Sequence, residues 1–382
     1  MTNVQTLAGL VLCLLSGLAQ AELSALVAIE PTARKEGLMV SRTGIESSLS
    51  KAVGRAVTVV TSDDLADVMR STRSGAHDLF IAPAQVAASA LARGYELVGA
   101  TAPADQYVLV GRQRFASTAA VRGNRIYLPQ QDSIYTYMAR GMLNATGLSF
   151  KDLSNVEYAR YPQAGLTALR VGASDATVIR REDWADWDKE NPGVARVLAT
   201  SDEVPGGFSV VMKSDLPADV RARIAKWFAS PGTGANLRPV TERPDMQAYK
   251  SVAQLGTFTP THLPGAEVVN AARVQQLLAE GAVLVDTRTD KEFRAKRVPN
   301  ALFVPYHEKS LKDTAYDVAA DDFAGLAKLD KTVPTIFACN GAECWKSYKA
   351  SRAALSAGFK RVYWFRGGLP EWEKAGLLVA KE

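Results

Sequence analysis

The chain has 382 residues, too many for one ordinary core and enough for two or three domains. An apolar fraction of 47% beside 22% charged residues is that of a globular chain and excludes long disordered or fibrous stretches. A net charge of +5, with Lys and Arg scattered among nearly as many acids, excludes a nucleic-acid groove and leaves only a mild attraction for anions.

Residues 7–18 form an apolar run that leads into Ala19-Gln20-Ala21, the small-x-small pattern of a signal-peptidase site. Residues 1–21 therefore read as an export signal, although no Lys or Arg precedes the run. The run is too short to span a bilayer comfortably, and Leu12 ahead of Cys13 excludes a lipid anchor there. The mature chain, starting at Glu22, is expected in the periplasm without a membrane span. It keeps two cysteines, Cys339 and Cys344, which cannot form a disulfide scaffold. In an oxidising compartment so close a pair is bonded, catalytic, or cycling between the two. Two thiols and the separated His77, His262 and His307 do not make a metal site, and no cofactor is expected.

From residue 22 to 230 short apolar runs alternate with amphipathic stretches, the α/β signature. Residues 56–60 read as a strand, 62–71 as a helix with Leu65, Val68 and Met69 on one face, and 78–82 as the next strand. Further strands are expected at 107–110, 125–128, 176–179 and 208–212. Residues 216–228 read as a closing helix with Pro217 in its first turn and Val220, Ile224, Trp227 and Phe228 facing inward. The turn 130–133 would set backbone N–H groups and the Ser133 hydroxyl at a helix N-terminus, an arrangement that suits an anion. Asp132 is either a ligand residue or the N-cap. Tyr107 and Tyr135 either line a cleft or belong to the core.

Three segments carry a resemblance: "GRAVTVVTSDDLADVMRSTRSGAHDLFIAPAQV", "RIYLPQQDSIYTYMARGML" and "TALRVGASDATVI". Together they resemble the phosphate/phosphonate-type periplasmic substrate-binding proteins, which have two α/β lobes joined by crossing strands. The resemblance implies a small anionic or sulfur-containing ligand held at Gln131, Ser133, Tyr135 and Thr136. This chain departs from that family's Ser/Thr-rich turn by placing Asp132 beside the site.

Residues 231–257, punctuated by Pro and Gly, read as an extended linker wrapping the first domain, with 247–255 a candidate short helix. Compact βα units follow over residues 258–382. A helix over 271–278 leads to a buried strand at 283–285 and on to Asp286-Thr287-Arg288. Residues 333–338 read as a strand and 347–357 as a helix, with Cys339 between them. "VLVDTRTDKEFRAKRVPNALFVPY" and "VPTIFACNGAECWKSYKASRAALSAGFKRVYWFRGGLPEWEKAGL" closely resemble the two halves of a rhodanese domain, with Lys296, Arg297 and Asn300 departing from the usual loop. The expected architecture is thus α/β throughout: a two-lobed periplasmic-binding-protein-like domain followed by a rhodanese-like domain with a central parallel sheet.

A thiol between a strand end and a helix N-terminus is where loop amides and the helix dipole would lower its pKa. Cys339 is accordingly expected to be the nucleophile, in a loop of Asn340, Gly341, Ala342, Glu343, Trp345 and Lys346. Asp286 and Arg288 are expected to order the domain by a buried ion pair. In the resembled family four residues separate the nucleophile from a basic residue, and a helix-starting Ser follows. With Ser347 as helix start, Lys346 becomes the basic residue and the loop is two residues longer than usual. Cys344 falls where the basic residue would otherwise stand. It is either an inert buried residue or a resolving thiol that attacks a persulfide on Cys339.

Two readings follow. In one, the protein is a rhodanese-type sulfurtransferase that passes sulfur to a thiol or cyanide-type acceptor. In the other, a binding protein carries the second domain as a docking or redox module for a periplasmic partner.

Overall fold

The computed structural model describes residues 22–31, 41–230, 237–241, 245–256, 258–310, 312, 314 and 316–382. The expected export signal lies outside the described residues. Among them, no helix is long and apolar enough to cross a membrane.

The chain opens with β1 (Leu23–Ala28), β2 (Val57–Ser62), β3 (Leu79–Ala82) and β4 (Tyr95–Ala100). It crosses into a second sheet of β5 (Tyr107–Arg112), β6 (Arg125–Leu128), β7 (Asn155–Tyr158), β8 (Ala176–Arg180) and β9 (Ala195–Thr200), then returns through β10 (Ser209–Lys213). The first sheet has the order β2-β1-β3-β10-β4, and β10 runs antiparallel to both neighbours. The second has the order β7-β6-β8-β5-β9, with β5 antiparallel to β8 and β9. Two crossings, β4 to β5 and β9 to β10, therefore join two lobes. The central strands read as unbroken apolar runs because helices cover both faces: every residue of β3 is buried.

Helix ends follow local chemistry. The helix Leu65–Ser74 starts at Asp64, whose carboxylate accepts the Asp67 N–H, and stops at Gly75 in the left-handed region. The closing helix starts at Ala218, so Pro217 is its N-cap residue and lies just outside the first turn. Within the expected linker, Met246–Gln254 is a helix packed on the helix Ala84–Leu91. Its Tyr249 and Val252 are buried in the core of the first domain, and the Tyr249 hydroxyl meets Ser209 Oγ at 2.6 Å.

The last domain is a five-stranded sheet of β11 (Glu267–Val268), β12 (Val283–Asp286), β13 (Leu302–Phe303), β14 (Thr335–Ala338) and β15 (Val362–Phe365). Its order is β11-β15-β14-β12-β13 and every pairing is parallel. The helix after β14 runs Trp345–Ser356, starting two residues earlier than expected. A turn in which the Cys344 N–H donates to the Gly341 carbonyl at 2.9 Å brings the chain into helical geometry at Trp345. Four residues thus separate Cys339 from the N-cap, and the loop is not lengthened.

Candidate functional site: the cysteine loop and the face it meets

Cys339 follows the last residue of β14, and Cys344 is the N-cap of the next helix. Gly341, at φ 94°, lets the intervening chain turn back. The Gly-Gly turn after β15 closes the loop from the other side. The Leu369 N–H donates to the Cys339 carbonyl at 3.0 Å, and a Cβ on Gly368 would lie 2.0 Å from that same oxygen. Only glycine fits so close to the cysteine backbone.

The thiol of Cys339 is 1% exposed. It donates to the Cys344 carbonyl at 3.2 Å and lies 3.0 Å from Ser347 Oγ, which accepts the Trp364 indole N–H at 3.1 Å. Burial, then its hydrogen bond to the Cys344 sulfur, raises the Cys339 thiol well above its ordinary value. Cys344 moves the other way, to about 7. The Cys339 hydrogen bond is the largest cause, aided by the Asn340 and Lys346 amides and by the charge of Lys151, against the opposing effect of burial. The sequence expectation is corrected here. The hydrogen bond from Cys339, with the Asn340 and Lys346 amides behind it, acidifies the residue that caps the helix, and that residue is Cys344. Both thiols are free.

Asp286 and Arg288 form the expected buried ion pair, with a closest approach of 2.6 Å. Arg288 also donates to the Lys296 carbonyl at 2.7 Å and reaches Asn340 Oδ1 at 3.5 Å, so the pair steadies the loop. Asn340 donates to Glu292 at 2.6 Å. Trp345 is buried edge-to-face against Tyr348, a packing role. Lys346, in the first helical turn, lines a 260 Å³ pocket with Arg288, Thr289, Phe303 and His307, while its backbone amide donates to Cys344.

The rest of the loop faces the first domain. Glu343 pairs with Arg140 at 2.6 Å, and the Ala342 carbonyl accepts both the backbone N–H and the hydroxyl of Thr259. Arg366 donates to the carbonyls of Thr259 and Pro260 and, through two nitrogens at 3.0 Å, to Gln131 Oε1. A cavity of about 1210 Å³ lies between the domains, lined by Asn340–Glu343 on one side and by Gln131, Lys151 and Tyr158 on the other. Sequence reasoning missed Arg140 and Lys151, which carry no local motif.

The expected anion turn is turned inward. Ser133, not Asp132, caps the helix Ile134–Asn144, accepting the Thr136 N–H. The Thr136 hydroxyl donates to the Gln130 carbonyl at 2.8 Å. Tyr135 is core, stacked edge-to-face on Tyr107, and Gln131 points to Arg366. The Ile134 N–H is taken by the carboxylate of Glu30 at 2.9 Å, which also accepts from Gln85 Nε2 at 2.9 Å. Burial between the lobes outweighs these bonds and raises Glu30 to about 7. It likewise raises Asp132 to about 6.

A family model described as ABC transporter, phosphonate, periplasmic substrate-binding protein matches residues 27–255, and one for the rhodanese-like domain matches residues 270–375. Rhodanese-like domain-containing protein 14, chloroplastic, of Arabidopsis thaliana is 29% identical over 143 residues, 30% of this chain and 63% of that relative. The chain thus spans less than two thirds of that relative's length. PhnD1 of Prochlorococcus marinus in complex with methylphosphonate aligns over 62% of this chain and 97% of its own, at 14% identity and a TM-score of 0.47. The alkanesulfonate-binding protein SsuA of Xanthomonas axonopodis pv. citri bound to MOPS aligns over 55% and 71%, at 19% identity and a TM-score of 0.36.

Proposed function

Because the chain belongs to the family of phosphonate-type periplasmic substrate-binding proteins of ABC transporters and ends in a rhodanese-like domain, we propose that it is an exported sulfurtransferase working through a two-thiol site. The observation that carries this reading is the hydrogen-bonded pair of Cys339 at the end of β14 and an acidic Cys344 at the helix N-cap.

In the resting geometry the Cys344 sulfur carries the negative charge and Cys339 keeps the proton. As the sulfane sulfur of a donor such as thiosulfate approaches, Cys344 takes that proton and the Cys339 thiolate attacks. The donor S–S bond breaks, sulfite leaves with the electron pair, and Cys339 becomes a persulfide. Cyanide attack on the outer sulfur releases thiocyanate and regenerates the thiolate. Alternatively, Cys344 passes the proton it took to the outer sulfur of the persulfide as its own sulfur attacks the Cys339 sulfur, hydrosulfide leaves, and the disulfide that results must be reopened by a reductant. Ser347, held by Trp364, steadies the Cys339 sulfur throughout.

Cys339→Ser should abolish loading of sulfur from thiosulfate, read by intact-protein mass spectrometry. Cys344→Ser should slow loading about tenfold or more at pH 7 and recover toward wild type above pH 9, as befits loss of a base. Persulfide appearing on Cys344 in the Cys339→Ser protein would exchange the two roles. No loading of either thiol in wild type would end the sulfurtransferase reading.

The first domain, on its family membership, would capture a small anion such as a phosphonate. A thermal-shift screen of phosphate, phosphonates, sulfate and thiosulfate on the full chain tests this, with upward shifts expected for at least one. A flat response to all of them would leave these lobes a scaffold.

A further inference from the structure

The resembled rhodanese loop carries a basic residue where this chain has Cys344, and Lys346 lines a different pocket. An anionic sulfur donor must still be met by positive charge, because a buried or confined anion is costly without it. Three cations line the large cavity without an ion pair among the described residues: Lys151, Arg366 and, on the helix Gly368–Lys374, Lys374, of which the first two flank the loop. Arg366 spends its donors on two backbone carbonyls and the neutral Gln131 side chain, so it makes no ion pair, and Asp132 and Glu371 act on it only through space. Lys151, from the second lobe of the first domain, makes no ion pair among the described residues. Other cations in the wall are already neutralised: Arg288 by Asp286 and Lys296 by Glu373. Lys151 favours the charged forms of Cys344 and of Glu292, in each case as a smaller contribution than the hydrogen bonds from Cys339 to Cys344 and from Thr289 and Asn340 to Glu292.

Resting on the sulfur-transfer reading above, we propose that the two domains build one anion site over the cysteine loop, in which Lys151 and Arg366 take the negatively charged end of a sulfane-sulfur donor. The cation missing from the loop is supplied by the other domain. A cavity of about 1210 Å³ admits donors much larger than thiosulfate, such as organic thiosulfonates or the persulfides of carboxylated thiols. The binding lobes are therefore part of the sulfur site and not a neighbour to it.

The test uses the full chain and two alkylating probes of similar size, anionic iodoacetate and neutral iodoacetamide, with Cys344 modification followed by mass spectrometry. Their rate ratio reports local potential whether or not sulfur is transferred. A single charge acting across several ångströms of wet cavity changes such a ratio about threefold, so Lys151→Ala should lower it by about that factor and Lys151→Glu by about tenfold. Lys151→Arg should restore it. In turnover with thiosulfate and cyanide, Lys151→Ala should raise KM with little change in kcat. An unchanged probe ratio in Lys151→Glu overturns the joint site. A lowered ratio in a protein that transfers no sulfur supports the shared electrostatics and defeats only the transfer chemistry.

Discussion

Glu30 stands where the helix Ile134–Asn144 would offer its first free amide to a ligand, and it brings a carboxylate of the chain itself. Because burial raises Glu30 to about 7, the folded protein binds a proton that the unfolded chain releases near pH 4.5. Its contribution is therefore full below about pH 4.5 and declines as pH rises toward 7, at a cost of order 1–3 kcal/mol. Asp132, raised to about 6, tilts the curve the same way. Glu30→Gln should flatten the fall in denaturation midpoint between pH 4.5 and 7.5, and an unaltered slope would show that the carboxylate is solvated. At the cysteine loop, Gly368→Ala should destabilise the last domain by at least about 2 kcal/mol, since its Cβ would meet the Cys339 carbonyl and its φ is positive. These single-residue effects were legible in part. The Cys339 position and the Asp286–Arg288 pair follow from local pattern. That Cys344 takes the helix start depends on a turn only the folded backbone shows.

Among the elements, eight of the fifteen described strands were legible because an apolar run flanked by amphipathic helices has few alternatives: residues 125–128 are a strand as expected and the other seven shift by no more than two positions, whereas β1, β4, β7 and β9 of the first domain were not located. Helix starts were harder. The helix expected at 347 begins at Trp345, where the Cys344–Gly341 turn brings the chain round and the indole is buried in one cluster with Tyr348 and Trp364, a tertiary contact. The helix Met246–Gln254 was visible only as a candidate in a Pro-rich stretch. It inserts Tyr249 and Val252 into the first domain, so a fragment ending at residue 230 should melt several degrees below one ending at residue 256. Equal melting temperatures for the two fragments would mean that the helix is a passenger.

Across the whole molecule, the contacts that join the domains link residues far apart in sequence, Arg140 to Glu343 across 203 positions and Gln131 to Arg366 across 235. No local motif announces such pairs, which is why the two domains were readable and their meeting face was not. The double variant Gln131→Ala with Glu343→Gln should speed amide exchange in residues 340–344 while leaving β12 and β14 protected. Exchange unchanged in that segment would show that the loop holds itself. The helix Met246–Gln254 adds a mechanical side to this face. It is bonded to the first lobe through Tyr249 and Ser209, and directly beyond it the Leu255 carbonyl is gripped by Arg140 of the second lobe, the same arginine that holds Glu343. One guanidinium is thus a shared latch. Any rocking of the lobes that tugs Leu255 away must also loosen Glu343, so strain between the lobes is passed to the cysteine loop through one side chain, with the Gln131–Arg366 contact as the second tie.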